Sequence, residues 1–258
     1  MVYVKRWYLD NPLRNYNYLI VNEINKHCIV VDPTFKSHYV SYINEHSLTV
    51  EAIILTHKHA DHVAAAVDLQ GKYNCDIYAN FQNFRGYIVD KLVSHDQELK
   101  FKSSSCIVIS TPGHTSKHVC FFFNKDGFLF CGDTIFTAGV GNTKDKTADI
   151  NHLFDSIMYL RNLPDNTRIY PAHDYFENNL SFALSLDRNN NAYASWYDRV
   201  KGVKADDKPV TTIEDERQIN VFMQSDQQRM IDLLNSRGLS LKTPREIFCY
   251  LRQQKDEF

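Results

Sequence analysis

The chain has no pair of cysteines at C-x-x-C spacing, no long apolar run and almost no charge imbalance. Each shortfall excludes something. The six cysteines, Cys28, Cys75, Cys106, Cys120, Cys131 and Cys249, fall mostly in apolar, strand-like runs such as 119-VCFFF-123 and 128-FLFC-131. That is the pattern of buried free thiols in a reducing compartment, not of a secreted disulfide framework. A spanning helix needs about 18 apolar residues in a row, and no such window occurs. The N-terminal stretch MVYVKRWYLDNPLRNYNYLIV lacks an apolar h-region and a small-residue cleavage site, so the expected address is cytoplasmic, with no membrane contact. With 29 basic against 31 acidic residues, the chain lacks the bulk attraction that nucleic acid or anionic lipid would exert. Nine glycines and seven prolines are too few for a collagen-like or disordered chain. What is present is 258 residues, 43% of them hydrophobic. A chain of that size buries roughly 70% of its unfolded surface and needs no disulfide or structural metal to fold.

The chain reads as two parts. Residues 1–173 alternate strands with a few helices. Strands are predicted at 16-YNYLIV-21, 28-CIVVD-32, 51-EAIILT-56, 75-CDIYA-79, 105-SCIVIS-110, 118-HVCFFF-123, 128-FLFCGD-133 and 167-TRIYPA-172. Apolar spacing predicts helices over 36–46, 62–73 and about 149–162. From Asp174 the character changes, and 174–187, 191–202, 226–238 and 243–255 read as amphipathic helices. Thr243-Pro244 is a good helix start, because proline fits the first turn. The polar segment 203–216 is predicted to be a connecting loop. The expected organisation is therefore an α/β domain over 1–173 and a smaller helical domain over 174–258.

The most specific feature is 56-THKHADH-62, directly after an apolar strand. His57 and His59 are two residues apart, so in extended backbone their imidazoles point the same way and can share one ion. Asp61 and His62 follow as the chain turns into a helix and can face a second ion. Three histidines and an aspartate at these spacings arise by chance in about one chain per thousand of this composition. Three further candidates occupy equivalent places, each in a loop after a strand: His114 in 110-STPGHT-115, Asp133 in 130-FCGDT-134 and His173 in 170-YPAHDY-175. The set of histidines and carboxylates suits Zn, Fe or Mn.

In this chain order the motif resembles the metallo-β-lactamase superfamily: H-x-H-x-D-H, then a lone histidine, a lone aspartate and a final histidine. The resemblance covers about 16–173 and implies a four-layer αββα sandwich with the site at one edge. It implies that His57, His59 and His114 hold one divalent ion, that Asp61, His62 and His173 hold the other, and that Asp133 bridges both. Asp32, in 30-VVDP-33, matches an aspartate of the superfamily that steadies a ligand histidine. Two divalent ions bring four positive charges, of which Asp61 and Asp133 cancel two and neutral imidazoles none. Such a site favours a bridging hydroxide, because metal binding lowers the pKa of water from 15.7 to about 7. Asp61 and Asp133 would orient the ions around it.

The remainder of the chain selects within the superfamily, since one scaffold hosts many reactions. The ending 250-YLRQQKDEF-258 is similar to the hydroxyacylglutathione hydrolases (glyoxalase II), whose chains close with R-x-x-K-D-x-F. Segments 15-NYNYL-19, 114-HTSKH-118, 132-GDTIFTAGVG-141, 147-TAD-149 and 173-HDYFENNLSFA-183 agree, so the similarity runs over nearly the whole chain. It implies that Arg252 and Lys255 bind the glycyl carboxylate of a glutathione moiety and that Tyr175 contacts its backbone. Arg252 and Lys255 are three apart and share one helix face. The expected reaction is hydrolysis of S-D-lactoylglutathione to D-lactate and glutathione, by a chain expected to act as a monomer on this small-molecule substrate. A glutathione thiolate needs no general acid to leave, because a thiol pKa lies near 8.5.

Two positions depart from the family. After the G-x-G turn the family often has G-K-x-Y, whereas here Asn142 and Lys144 stand where that lysine and tyrosine would be; Lys144 or Lys146 is expected to supply the charge from a shifted position. Lys117 stands where glycine is usual. A second resemblance, through 59-HADH-62 and 171-PAHDY-175, is to glutathione persulfide dioxygenases, which would use a single iron on His57, His114 and Asp133. The C-terminal ending, 147-TAD-149 and the added helices favour the hydrolase. A β-lactam hydrolase would carry an export signal, and a nuclease a basic surface or substrate-binding arm; neither is visible.

Overall fold

A computed structural model describes all 258 residues, Met1–Phe258. The chain forms two compact units, one of residues 1–110 with 117–132 and the other of residues 111–116 with 133–258.

The first unit is built on two sheets. In one, strands Val2–Tyr8, Tyr16–Asn22, His27–Val31, Thr49–Ile54, Asp76–Ala79 and Lys91–Leu92 lie side by side in chain order. The first three are antiparallel, with Tyr3 opposite Val21 and Leu19 opposite Val30; from Val31 opposite Ile54 onward the pairing is parallel. In the other, Glu98–Lys100, Ser105–Ser110, Val119–Phe123 and Phe128–Gly132 pair antiparallel in sequence. Val119–Phe123 and Phe128–Gly132 are buried at every position, which is why they read as continuous apolar runs and not as alternating ones. The rings of Tyr18 and Phe130 meet at 5.5 Å between the two sheets. Helices Ser37–Glu45 and Ala66–Tyr73 cover the first sheet, burying Tyr39, Ile43, Ala66 and Leu69 against Leu19, Val30 and Ile53. Tyr39 hydroxyl donates to the carbonyls of Tyr18 and Val31, so the buried oxygen is partnered.

The structure adds elements that the sequence did not signal and divides one expected helix. Val2–Tyr8 is an edge strand that was not foreseen; each of its residues is half-buried, so its faces show no clean apolar alternation. Asn83–Phe84 and Tyr87–Ile88 pair as a two-residue ladder that is too short to leave a pattern. The single helix expected over 62–73 is broken into Ala60–Val63 and Ala66–Tyr73, because the Ala65 amide donates to the Pro33 carbonyl. The turn carrying Asp61 and His62 is thereby aimed separately from the helix behind it.

The second unit holds helix Ile150–Leu160, strand Arg168–Pro171 and helices Phe176–Leu186, Asn191–Val200, Ile213–Ile219, Gln228–Asn235 and Pro244–Glu257. Asp149 caps the first by accepting from the amides of Asn151 and His152. Thr243 and Glu246 form a reciprocal cap on the last, with Pro244 in its first turn as expected. The segment 203–216, expected to be a loop, contains a short turn of helix at Ala205–Asp207 and the start of Ile213–Ile219. Its signal was there: Thr212 and Asp215 cap each other, and the polar composition concealed a helix whose buried face is Ile213, Glu216 and Ile219. Phe248 of the last helix packs on Phe154 at 5.5 Å and on Phe222 at 5.4 Å. All six cysteines are free, and five are buried. Burial pushes the Cys75 thiol up to about 11, so it stays protonated and inert. No helix is long and apolar enough to cross a membrane.

Candidate metal centre

In the first unit, strand Thr49–Ile54 runs into the histidine-rich bend. Extended backbone there places His57 and His59 on one side and exposes Lys58 on the other. His57 Nε2 and His59 Nδ1 are 3.0 Å apart. His57 is fully buried, with its Nδ1 3.1 Å from Thr56 Oγ1. The next turn presents Asp61 and His62, whose Oδ2 and Nε2 lie 3.3 Å apart. The rings of His57 and His62 are 4.0 Å apart, so the two pairs of donors are neighbours.

Buried side chains hold this bend from behind. Asp32 sits at the end of strand His27–Val31 in the left-handed region, with φ +41°, a conformation that aspartate tolerates better than most residues. Its carboxylate accepts from Thr56 amide at 2.8 Å and Thr56 hydroxyl at 2.6 Å, and its Oδ2 lies 3.0 Å from His62 Nδ1. That contact fixes the ring of His62 and leaves Nε2 facing Asp61 Oδ2. Asn15 Nδ2 donates to Asp61 Oδ2 at 2.8 Å, and Thr34 hydroxyl donates to the Asp61 carbonyl at 2.6 Å. His118, fully buried, stacks on His57 at 4.9 Å. Sequence reasoning did not single out Asn15, Thr34, Thr56 or His118. Only 15-NYNYL-19 and 114-HTSKH-118, as family segments, pointed near two of them. Gly132, with φ +47°, is close-packed here, since a Cβ would strike the Thr56 hydroxyl.

The second unit brings three more candidates together. Asp133 lies between two histidines: its Oδ2 is 3.3 Å from His114 Nε2, and its Oδ1 is 3.2 Å from His173 Nε2. All three are buried, between 3% and 7% exposed. His114 Nδ1 is 2.8 Å from the Asn142 carbonyl, which sets its tautomer and turns Nε2 toward Asp133. His173 stacks on Tyr175 at 5.3 Å and meets the edge of Phe136 at 5.6 Å. Gly141 is required because a Cβ there would meet the carbonyl oxygen of Asp133.

These separations fit an ion better than they fit direct ion pairs. Two ligand atoms at 2.0–2.1 Å from one tetrahedral centre stand roughly 3.3 Å apart. Charge-assisted hydrogen bonds between an imidazolium and a carboxylate would close to about 2.7–2.9 Å. The two carboxylate oxygens of Asp133 each face a different imidazole nitrogen. Neutral imidazoles and carboxylates are the donors of a divalent-metal site, and this chain has one.

The second unit also contains a pocket of about 230 Å³. Tyr175, Lys144, Arg252 and Lys255, all named from sequence, line it with Asn142 and Asp256 among others. Arg252 is only 6% exposed: Nη1 donates to the Val140 carbonyl at 3.0 Å and Nη2 to Asp256 at 3.0 Å. Lys255 Nζ is bound to the carbonyl and side-chain oxygens of Asn178. Burial, then the nearby Arg252 charge, pushes the Lys255 ammonium down to about 8. Lys144 occupies the pocket rim while its amide donates to Asn142 Oδ1 at 3.0 Å.

The sequence pattern of the metallo-β-lactamase superfamily matches residues 10–80 and 87–173, and that of the hydroxyacylglutathione hydrolase C-terminus matches 174–258. The fold and the His/Asp site are therefore those of a metallo-β-lactamase-type metalloenzyme. Hydroxyacylglutathione hydrolase from Francisella philomiragia subsp. philomiragia is 38% identical over 259 residues, covering 99% of each chain. The chain belongs to the hydroxyacylglutathione hydrolase family. Among solved structures, ETHE1 from Myxococcus xanthus superposes with a TM-score of 0.68 at 23% identity, covering 98% of both chains. TTHA1623 in a di-iron-bound form gives 0.61 at 24% identity, covering 84% of this chain and 99% of that one. At such identities these two show the fold alone.

Proposed function

We infer that this protein is a metal-dependent thioester hydrolase that cleaves S-D-lactoylglutathione, and related S-2-hydroxyacylglutathiones, to the hydroxy acid and glutathione. It would thereby complete the detoxification of methylglyoxal. The observation that carries the substrate reading is the pocket lined by Tyr175, Lys144, Arg252 and Lys255, in a chain 38% identical to a named hydroxyacylglutathione hydrolase throughout its length.

In this reading His57, His59 and His114 would hold one ion and Asp61, His62 and His173 the other, with Asp133 shared between them; zinc is the proposed metal at both. When bound, divalent ions supply Lewis-acid polarisation of the thioester carbonyl and a water nucleophile available at neutral pH. The chain's own residues position these parts. Asp32 and Asn15 hold His62 and Asp61 in orientation, and the Asn142 carbonyl holds His114. Arg252 and Lys255 are proposed to bind the glycyl carboxylate, Lys255 as a compact positive charge and Arg252 as a guanidinium held in place by Val140 and Asp256. Tyr175, stacked on His173 and lining the pocket, is proposed to contact the glutathione backbone. The departing glutathione thiolate is stable near neutral pH, which fits a pocket with no acid assigned to protonate it. The chain is proposed to act as a monomer.

The test is thiol release from S-D-lactoylglutathione by purified protein of measured metal content. Wild type is expected to turn over, and Lys255→Ala to raise KM about tenfold or more, the loss of one charge-assisted bond. Oxygen consumption with glutathione persulfide, one iron per chain and no thiol release would instead establish the dioxygenase.

A further inference from the structure

Between Asp133 and Asn142 the chain makes a turn whose backbone polar groups are held by side chains far away in sequence. The Thr137 carbonyl accepts from Asn179 Nδ2 at 2.9 Å, and the Ala138 amide donates to Glu216 Oε2 at 2.9 Å. The Gly139 carbonyl accepts from Asn220 Nδ2 at 3.0 Å, and the Val140 carbonyl from Arg252 Nη1 at 3.0 Å. Four consecutive residues are thus pinned by four helical-region side chains. Glu216 is the hub. Its Oε2 also accepts from Asn220 Nδ2 at 2.9 Å, and its Oε1 from the Thr211 hydroxyl at 2.7 Å. Glu216 and Asn220 are both 0% exposed. Burying a carboxylate is costly even with three donors around it, and burial raises its proton affinity. Ala138 holds φ +58°, a left-handed conformation that an alanine keeps only where its surroundings impose it.

Both ends of the turn matter to the proposed site. It begins after Asp133, and it ends at Gly141 and Asn142, whose carbonyl orients His114. Phe136 and Val140, within it, line the pocket. We propose that Glu216, acting through the Ala138 amide and with Asn220, is a positioning residue that sets this turn and so shapes the pocket wall that receives the glutathione part of the substrate. The assignment of a ligand rests on the function inferred above; the assignment of the hub rests on the hydrogen bonds alone.

Removing the acceptor frees the Ala138 amide and lets the turn leave its left-handed conformation, displacing Phe136 and Val140. Glutamine can restore it: Oε1 accepts from Ala138 and Asn220, while Nε2 donates to a Thr211 hydroxyl that reverses its role. The experiment uses metal-loaded protein with Glu216→Ala, Glu216→Gln and Leu234→Ala, the last a buried apolar residue of helix Gln228–Asn235 that serves as a destabilised control. Readouts are hydrogen exchange at the Ala138 amide, the calorimetric Kd for glutathione, and KM and kcat for lactoylglutathione. Glu216→Ala is expected to lose Ala138 protection and to raise Kd and KM about tenfold, the size of one lost buried hydrogen bond. Glu216→Gln is expected to stay within about twofold of wild type, which a generic loss of stability would not rescue, and Leu234→Ala to bind glutathione normally.

Wild-type Kd and Ala138 protection in Glu216→Ala would overturn the proposal, as would equal weakening in Leu234→Ala. Should Glu216→Ala not fold, Asn220→Ala is read the same way, and an unchanged Kd there overturns it. If wild type itself neither binds glutathione nor releases thiol, the functional reading fails. The Ala138 exchange pattern then decides the role of Glu216 by itself.

Discussion

Lys208 and Asp174 form an ion pair that lies almost entirely out of solvent, and its disruption has a calculable cost. Lys208 Nζ is 2.8 and 3.0 Å from the two oxygens of Asp174, and the side chains are 3% and 1% exposed. Replacing Lys208 with methionine keeps most of the volume but leaves Asp174 without its countercharge in a low-dielectric setting. Breaking a buried pair in this way costs about 3–5 kcal/mol, because the remaining ion has already lost its water. At about 2–4 °C per kcal/mol for a chain of this size, Tm should fall on the order of 10 °C. The double variant Asp174→Asn with Lys208→Met removes both charges and should recover most of the loss, since the pair itself contributes little net stability. Urea unfolding followed by far-ultraviolet circular dichroism measures all three proteins, with metal content determined in each so that ion loss is not mistaken for pair loss. A single variant within 1 kcal/mol of wild type would refute the reasoning, as would a double variant no better than the single.

Burial raises the Glu216 carboxyl from its ordinary 4.5 to about 7. An acid raised in the folded state favours folding most below pH 4.5, and that advantage is lost as pH climbs through about 7; wild type should therefore lose up to about 3 kcal/mol relative to Glu216→Gln between pH 5 and 8. Parallel stability curves for the two proteins would contradict this. Lys255, pushed down to about 8, is cationic below that pH and neutral above it, so KM for lactoylglutathione should rise between pH 7 and 9 in wild type and stay flatter in Lys255→Arg. Equal KM profiles would remove Lys255 from carboxylate binding. Asp32→Ala removes the partner of His62 Nδ1 and should weaken metal affinity about 10–100-fold in chelator competition. Unchanged affinity would mean that Asp32 holds only the Thr56 loop.

The parts of this molecule that were legible in its sequence are those encoded locally. The 56-THKHADH-62 bend announces itself because alternation along extended backbone puts His57 and His59 side by side, and the structure places their nitrogens 3.0 Å apart. His114, Asp133 and His173 were readable only as a recurrence, each following a strand. The groups that hold these ligands left no such mark. Asn15 reaches Asp61 across 46 residues of chain, and Glu216 reaches Ala138 across 78. No window of sequence contains both members of such a pair. Helix Ile213–Ile219 was hidden for a related reason: its acidic residues suggested solvent, yet Glu216 points inward to hold a turn. Arg252 was read as a ligand for substrate from its chemistry; the fold places it in the pocket lining and fixes its guanidinium through Val140 and Asp256, partners that no local pattern announced.

The most direct measurement is a stopped assay of S-D-lactoylglutathione with metal-analysed protein, before and after removal of metal by chelation and after restoration with zinc. The account predicts stoichiometric release of glutathione and D-lactate with two ions bound per chain, loss of turnover in the stripped protein and its return with zinc. Full turnover by the stripped protein, or a two-metal protein that leaves the thioester intact, would contradict it.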